Sequence, residues 1–83
     1  MFKAKIDVTL KKSVLDPQGQ TILQALHSLG FKGVENLRAG KHFEVMLNSG
    51  DRKKAEADVK DMCDRLLTNP IIEQYTFQLE EAR

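Results

Sequence analysis

The sequence predicts a small α+β domain whose elements follow the order β-α-β-β-α-β. Three observations indicate this class: apolar side chains alternate strictly at the N-terminus, two later segments carry apolar residues at helical spacing, and turn residues separate the segments. With 83 residues, the chain is long enough for one domain with one thin core layer. We therefore expect residues 1–83 to form a single domain.

The first strand is predicted over residues 2–10, where every second residue is apolar. One side carries Phe2, Ala4, Ile6, Val8 and Leu10, and the other carries Lys3, Lys5, Asp7 and Thr9. Successive side chains of a strand point to opposite faces. This segment is therefore expected to bury one face and expose the other.

The first helix is predicted to begin at Asp16-Pro17. Aspartate is a good N-cap acceptor, and proline at the first helical position gives up an N–H that has no helical partner. The apolar face is formed by Ile22, Ala25, Leu26 and Leu29. Gly30 then supplies the left-handed residue that commonly ends a helix, which places Phe31 to pack back on Leu26.

Two strands are predicted next, over residues 34–39 and 41–48, joined tightly around Ala39-Gly40. The second alternates well, with Phe43, Val45 and Leu47 on one side and His42, Glu44 and Met46 on the other. The first alternates weakly, so its inward face is left open.

The second helix is predicted over residues 52–68, after an N-cap at Asp51 and before Asn69-Pro70. Its apolar face is formed by Ala55, Val59, Met62, Cys63, Leu66 and Leu67. Residues 72–79 form the predicted last strand, followed by a polar tail over residues 80–83.

Right-handed crossovers favour a ferredoxin-like layout for this order of elements, with a four-stranded sheet and both helices on one face. The uncovered face would carry Lys3, Lys5, Asp7 and Thr9. Such a face is either solvated or packed against another sheet, and the sequence leaves both open.

Composition excludes several classes of function. The chain has 13 basic and 12 acidic residues, so its charge gives no reason to expect nucleic acid or an anionic membrane as a partner. A single cysteine fits a reducing compartment, and no apolar run approaches the ~18 residues of a membrane span. We expect a soluble, cytoplasmic protein.

The inventory of chemical groups indicates neither a catalytic, a metal nor a cofactor site. Cys63 falls on the apolar stripe of the second helix and is interpreted as a core residue. His27 and His42 are isolated and do not supply the ligand set of a zinc site. The glycines build no phosphate-binding loop.

Other functions share the predicted order of elements. RNA-recognition domains need aromatic residues on the open face, whereas Phe43 is expected on the core side. A ligand-sensing module of the ACT type would use residues 10–19, which contain Ser13 and Asp16 but no clear amino-acid site. That module and a generic self-associating scaffold remain as alternatives.

The run over residues 8–19, VTLKKSVLDPQG, resembles the signature of the PurS family, the small subunit of phosphoribosylformylglycinamidine synthase. Residues 25–31, the end of the second helix, Asn69-Pro70, and Ile72-Glu73 with Tyr75 resemble further blocks of that family in the same order. The resemblance implies a non-catalytic accessory subunit of an ATP-dependent amidotransferase in purine biosynthesis.

In that family, as the resemblance implies, a large synthetase subunit uses ATP with Mg²⁺ and a separate glutaminase makes ammonia from glutamine. The small subunit, as a homo-oligomer, is expected to bring the two together and assist ammonia transfer. We expect its partner contacts in the loop and helix start, on the first helix, and at the second helix stop. The expected contact residues are Lys12, Ser13, Asp16, Pro17, Gly19, His27, Asn69 and Pro70.

Overall fold

The computed structural model describes residues 1–82, in which three strands alternate with two helices. The elements are β1 (Phe2–Leu10), α1 (Pro17–Ser28), β2 (Gly40–Leu47), α2 (Arg52–Met62) and β3 (Glu73–Glu81). β3 extends into the segment predicted as a polar tail, and Arg83 lies outside the described residues. Neither helix of the described chain is long and apolar enough to cross a membrane.

The sheet is antiparallel throughout and has the order β2-β1-β3. Ile6 lies opposite Phe43 on β2 and Phe77 on β3, so the apolar positions of all three strands share one face. We call this the inner face and its reverse the open face. The prediction for residues 2–10 is confirmed, because Phe2, Ala4, Ile6 and Val8 are all buried.

α2 covers the inner face along β1 and forms the core with it. The Asp51 carboxylate accepts the Lys53 N–H at 3.0 Å, as expected of an N-cap. The buried apolar core consists of Phe2, Ala4, Ile6, Val8, Leu47, Ala55, Val59, Cys63 and Leu79. The last turn widens into a π-helical turn, Cys63–Leu67, because the Thr68 N–H donates to the Cys63 carbonyl five residues back, at 3.0 Å.

The strand predicted over residues 34–39 is absent in the single chain, so the sheet of the described residues has three strands rather than four. Side chains of α1 and its cap instead bind two backbone groups of this segment. The Ala39 N–H donates to Asp16 Oδ2 at 2.8 Å, and the Val34 carbonyl lies 2.7 Å from His27 Nε2. The hairpin expected around Ala39-Gly40 therefore does not close.

The prediction that both helices cover one face of the sheet is also corrected. α1 buries only Gly19, and the apolar residues Ile22, in the helix, and Leu29, at its C-cap, are 39% and 74% exposed. We call residues 11–39 the arm, since they extend away from the sheet. The chain accordingly measures 50 × 29 × 14 Å. Its radius of gyration is 16.4 Å, against about 12 Å for a compact chain of this length.

Candidate association surfaces

All of the predicted contact residues except His27 lie at one end of the sheet. Leu10 pairs with Glu73, so the start of the arm and the turn before β3 leave the sheet together. The Lys11 N–H donates to the Ile72 carbonyl at 2.8 Å and fastens one to the other. This end, which we call the base, carries Lys12, Ser13, Asp16, Pro17, Gly19, Asn69 and Pro70.

Asp16 connects the two chain segments that form the arm. It is 4% exposed, and its Oδ1 accepts the Gly19 N–H at 2.9 Å while its Oδ2 accepts the Ala39 N–H at 2.8 Å. These two donors, helped by nearby Arg38, hold the pKa of the Asp16 carboxyl below its ordinary value, although burial acts in the opposite direction. The predicted N-cap is confirmed, and the bond to Ala39 is a second role that the sequence did not indicate.

Gly19 lets the first turn of α1 approach the other segment of the arm closely. A Cβ atom placed on it would lie 2.6 Å from the Leu37 carbonyl oxygen and 2.6 Å from Asp16 Oδ2. One of these atoms belongs to the backbone and cannot rotate away. Only glycine therefore fits this position without a shift of the arm.

Replacing Gly19 with alanine is expected to lower the free energy of unfolding by about 1–3 kcal/mol, the usual cost of overpacking. The clash outweighs the helix propensity that alanine would otherwise contribute. Urea unfolding monitored by circular dichroism measures the effect. The matched control is Gly33→Ala, because a Cβ there meets no atom within 4 Å. Equal stabilities for the two variants would contradict the close approach at Gly19.

Arg38 is a base residue that the sequence analysis missed. Its Nη2 donates to the Lys11 carbonyl at 3.1 Å and to the Val14 carbonyl at 3.0 Å. The arginine thus joins the end of the arm to its beginning. The only signal was the weak alternation of residues 34–39, which showed that this segment was a poor strand but not what Arg38 contacts.

The remaining predicted contact residues differ in how far they are buried and hydrogen-bonded. His27 is half-buried, and its Nε2 lies 2.7 Å from the Val34 carbonyl. The Asn69 side chain accepts the Ile71 N–H, and its backbone N–H donates to the Glu73 carboxylate. The turn is therefore closed on itself, and it presents Pro70 and Ile71 to solvent.

The arm carries an uncovered apolar surface. Gly30 adopts a φ of +103°, and the Phe31 N–H donates to the Leu26 carbonyl at 3.0 Å, which confirms the predicted helix end. Beyond this cap, the Phe31 side chain is 56% exposed. We call Ile22, Leu29 and Phe31 the arm apolar surface.

A groove of about 300 Å³ lies beside the end of α2. Its apolar lining consists of Val45 on β2 with Met62, Leu66 and Leu67, and Asp61 and Arg65 stand at its margin. Leu66 is 83% exposed, and Phe43 and Val45 of the inner face are only half-buried. The predicted layout placed α1 over the inner face; in the single chain that position is empty, and the groove is left open there.

The open face neutralises its own charges. Lys3 lies 2.6 Å from Glu44 on β2, and Lys5 lies 3.1 Å from Glu80 on β3. The hydrogen bond between Lys3 and Glu44 raises the pKa of the lysine and lowers that of the glutamate. Paired, half-exposed charges of this kind are typical of a solvated face.

Cys63 and His42, the two remaining candidate reactive residues, lie on opposite faces of the sheet. Cys63 is fully buried, as predicted, and burial, with a smaller contribution from Asp64, raises the pKa of its thiol. His42 lies on the open face with its Nδ1 2.7 Å from Asp7 Oδ1. Within residues 1–82, no three His, Cys, Asp or Glu side chains are grouped to hold a metal ion.

Comparison with known proteins gives one consistent answer. Residues 3–81 match the family model described as PurS, phosphoribosylformylglycinamidine (FGAM) synthase. The chain is 44% identical to the phosphoribosylformylglycinamidine synthase subunit PurS of Bacillus subtilis, over 99% of this chain and 96% of that protein.

Solved structures agree with this match. The crystal structure of B. subtilis PurS superimposes with a TM-score of 0.89 at 44% identity, covering 98% of this chain and 100% of that one. A chain of the PurLQS structure from Thermotoga maritima gives a TM-score of 0.87 at 35% identity, covering 95% and 96% of the two chains.

Proposed function

Because this chain belongs to the PurS family, we propose that it is the non-catalytic subunit that holds the synthetase and glutaminase of phosphoribosylformylglycinamidine synthase together. The family match over residues 3–81 carries the proposal. It is supported by the likeness to a chain of PurLQS, in which a protein of this shape forms part of a larger assembly.

The work of such a subunit is positional. Free ammonia is protonated and diluted in bulk water, so two active sites that share it must be held in a closed, reproducible geometry. ATP with Mg²⁺ and glutamine are used by the partner subunits, and this chain contributes surfaces. The complex operates in the cytoplasm, a reducing compartment that is compatible with the free, buried Cys63.

The proposal includes self-association, because the single chain leaves too much surface uncovered. It exposes 6189 Å², about 1,200 Å² more than a compact monomer of its mass. A stable interface buries about 800 Å² from each partner. The excess is larger than one chain's share of a standard interface, so it favours self-association over an extensive surface.

We infer that two copies exchange arms. The arm apolar surface of one copy packs into the groove of the other, and residues 34–39 of the visiting arm add a fourth strand along the free edge of β2. Exchange has a low free-energy cost, because the arm of the second copy has the same sequence as the arm that would otherwise cover this sheet. The four-stranded sheet predicted from the sequence is then completed by a second chain.

The base is the surface proposed for the larger subunits. Lys12 and Ser13 are exposed there, beside Pro70 and the 81% exposed Ile71. The base lies at the far end of β1 from its N-terminus. The proposed arm exchange does not use its exposed residues Lys12, Ser13, Pro70 and Ile71, so these stay free for a different partner.

A ligand-sensing role has less support. A cavity of about 200 Å³ does lie by residues 10–19, between Leu10, Asp16, Lys41 and Glu73. Its charged groups are already satisfied: Asp16 binds two backbone N–H groups, and Lys41 lies 3.3 Å from Glu73. Calorimetry with free amino acids and nucleotides is expected to give no saturable heat, whereas a saturable signal would favour the sensing module.

Co-purification tests the assembly. Tagged chain, mixed with its synthetase and glutaminase in the presence of nucleotide and glutamine, is expected to retain both partners on the resin. Ile71→Asp at the base is expected to weaken retention, whereas Met46→Asp on the open face is expected to leave it unchanged. Retention of neither partner under any nucleotide and glutamine condition would refute the proposed function.

A further inference from the structure

At the base, the start of α1 makes more hydrogen bonds to other parts of the chain than a helix N-cap requires. Asp51 shows the ordinary case: it caps α2 through one bond to the Lys53 N–H and holds nothing outside its own helix. Asp16 caps α1 in the same way and also binds the Ala39 N–H, 23 residues further along the chain. The additional bond ties together the two points where the arm joins the sheet.

Two further contacts act across the same junction. Arg38 donates to the carbonyls of Lys11 and Val14, and the missing side chain of Gly19 lets α1 lie against the Leu37 carbonyl. Three different residue types therefore fasten residues 11–19 to residues 37–39. The covalent chain alone would connect the arm to the sheet, so these contacts serve to fix how the two are arranged.

We propose that the Asp16 carboxylate, supported by Arg38 and Gly19, sets the angle at which the arm leaves the sheet, and so positions the arm for the second copy. Asp16 is a positioning residue in this role, and the proposal rests on the arm exchange proposed above.

The angle matters because the arm is long. α1 has 12 residues, which span about 18 Å, so a rotation of about 10° at the base moves its far end by about 3 Å. Leu29 and Phe31 lie at that far end. Interface cores pack as densely as protein interiors, and a displacement of this size would leave the apolar side chains outside the groove.

Asp16→Asn separates positioning from capping. Asparagine caps helices about as well as aspartate, so α1 is expected to keep its helix content in circular dichroism. The asparagine side chain offers one oxygen, and its NH₂ cannot accept the Ala39 N–H. Asp51→Asn makes the same chemical change at a cap that ties nothing else, and it is the matched control.

Two measurements test the positioning role. Sedimentation equilibrium gives the dimer dissociation constant, which is expected to rise at least tenfold for Asp16→Asn and to stay within about twofold for Asp51→Asn. Spin labels attached to the variants Lys32→Cys, in the arm, and Glu56→Cys, on α2, give the distance between the arm and the helix that covers the sheet. A Leu66→Asp background, which blocks the groove, keeps this measurement on single chains, and Asp16→Asn is expected to broaden the distance distribution.

The outcomes distinguish the two proposals. An unchanged distance distribution and dissociation constant in Asp16→Asn would overturn the positioning role while leaving arm exchange intact. A wild-type chain that stays monomeric would overturn arm exchange, and the label distances would still report whether Asp16 sets the angle. Equal losses in Asp16→Asn and Asp51→Asn would show that removing a carboxylate at either helix start is sufficient and would also overturn the positioning role.

Discussion

Omitting this chain from a reconstituted phosphoribosylformylglycinamidine synthase is expected to abolish glutamine-dependent product formation, while turnover with concentrated ammonium salt largely persists. Ammonia made by the glutaminase must reach the synthetase before it equilibrates with water, and only an organised assembly provides that path. A misplacement of about 1 Å between reacting groups already costs about 100-fold in rate, so we expect a loss of at least ~100-fold.

The measurement compares rates with glutamine and with ammonium chloride, with and without the chain, at fixed amounts of the two partner subunits. Adding back wild-type chain, or Met46→Asp with its change on the open face, is expected to restore the glutamine rate. A glutamine-dependent rate that does not change when the chain is omitted would show that the bridging role is wrong. A parallel loss of the ammonia rate would instead place this chain in the synthetase reaction itself.

The elements that sequence reasoning predicted well are those whose partners are dictated locally. β1 alternates without interruption, so its buried face followed directly from Phe2, Ala4, Ile6 and Val8. α2 carries a continuous apolar stripe, and Ala55, Val59 and Cys63 are its most buried members. In both cases the periodicity determines which face is apolar, and that face can be buried only in the single core of the sheet.

The arm was not predictable, because its apolar stripe says which side of α1 is to be covered but not by which molecule. Gly40 illustrates the problem. The sequence analysis interpreted it as a turn residue, but a Cβ there would lie 2.6 Å from the Val8 carbonyl oxygen. The glycine allows the close approach of β2 to β1, and no turn precedes it, because residue 39 already belongs to the arm.

The candidate contact residues were predicted in groups rather than individually. The sequence placed Lys12 and Asn69 in separate loops, and the antiparallel pairing of β1 with β3 brings these loops to one base. The sequence analysis gave no strand order, so this pairing comes from the structure. The bonds of Asp16 to Ala39 and of Arg38 to Lys11 depend on side-chain directions that no spacing rule encodes.

Charging the arm apolar surface is expected to convert the proposed dimer into monomers. In the double variant Leu29→Asp/Phe31→Asp, arm exchange would bury two carboxylates in a groove lined by Val45, Met62, Leu66 and Leu67. Each replaced anchor is expected to cost about 2 kcal/mol or more of association free energy, as central interface residues do. The two changes in one arm alone raise the dissociation constant by about 1,000-fold, and the second arm of the dimer adds to this.

Sedimentation equilibrium over a wide concentration range measures this change, and circular dichroism verifies that the monomer remains folded. Folding is expected to survive, because Leu29 is 74% exposed and Phe31 is 56% exposed in the single chain. Met46→Asp, at a residue of similar exposure (54%) on the open face, is the matched control and is expected to remain dimeric. If the double variant and the control dimerise equally, the copies associate through another surface. If only the double variant dissociates, its glutamine-dependent activity in the reconstituted synthase then shows whether the exchanged dimer is the form that bridges the two larger subunits.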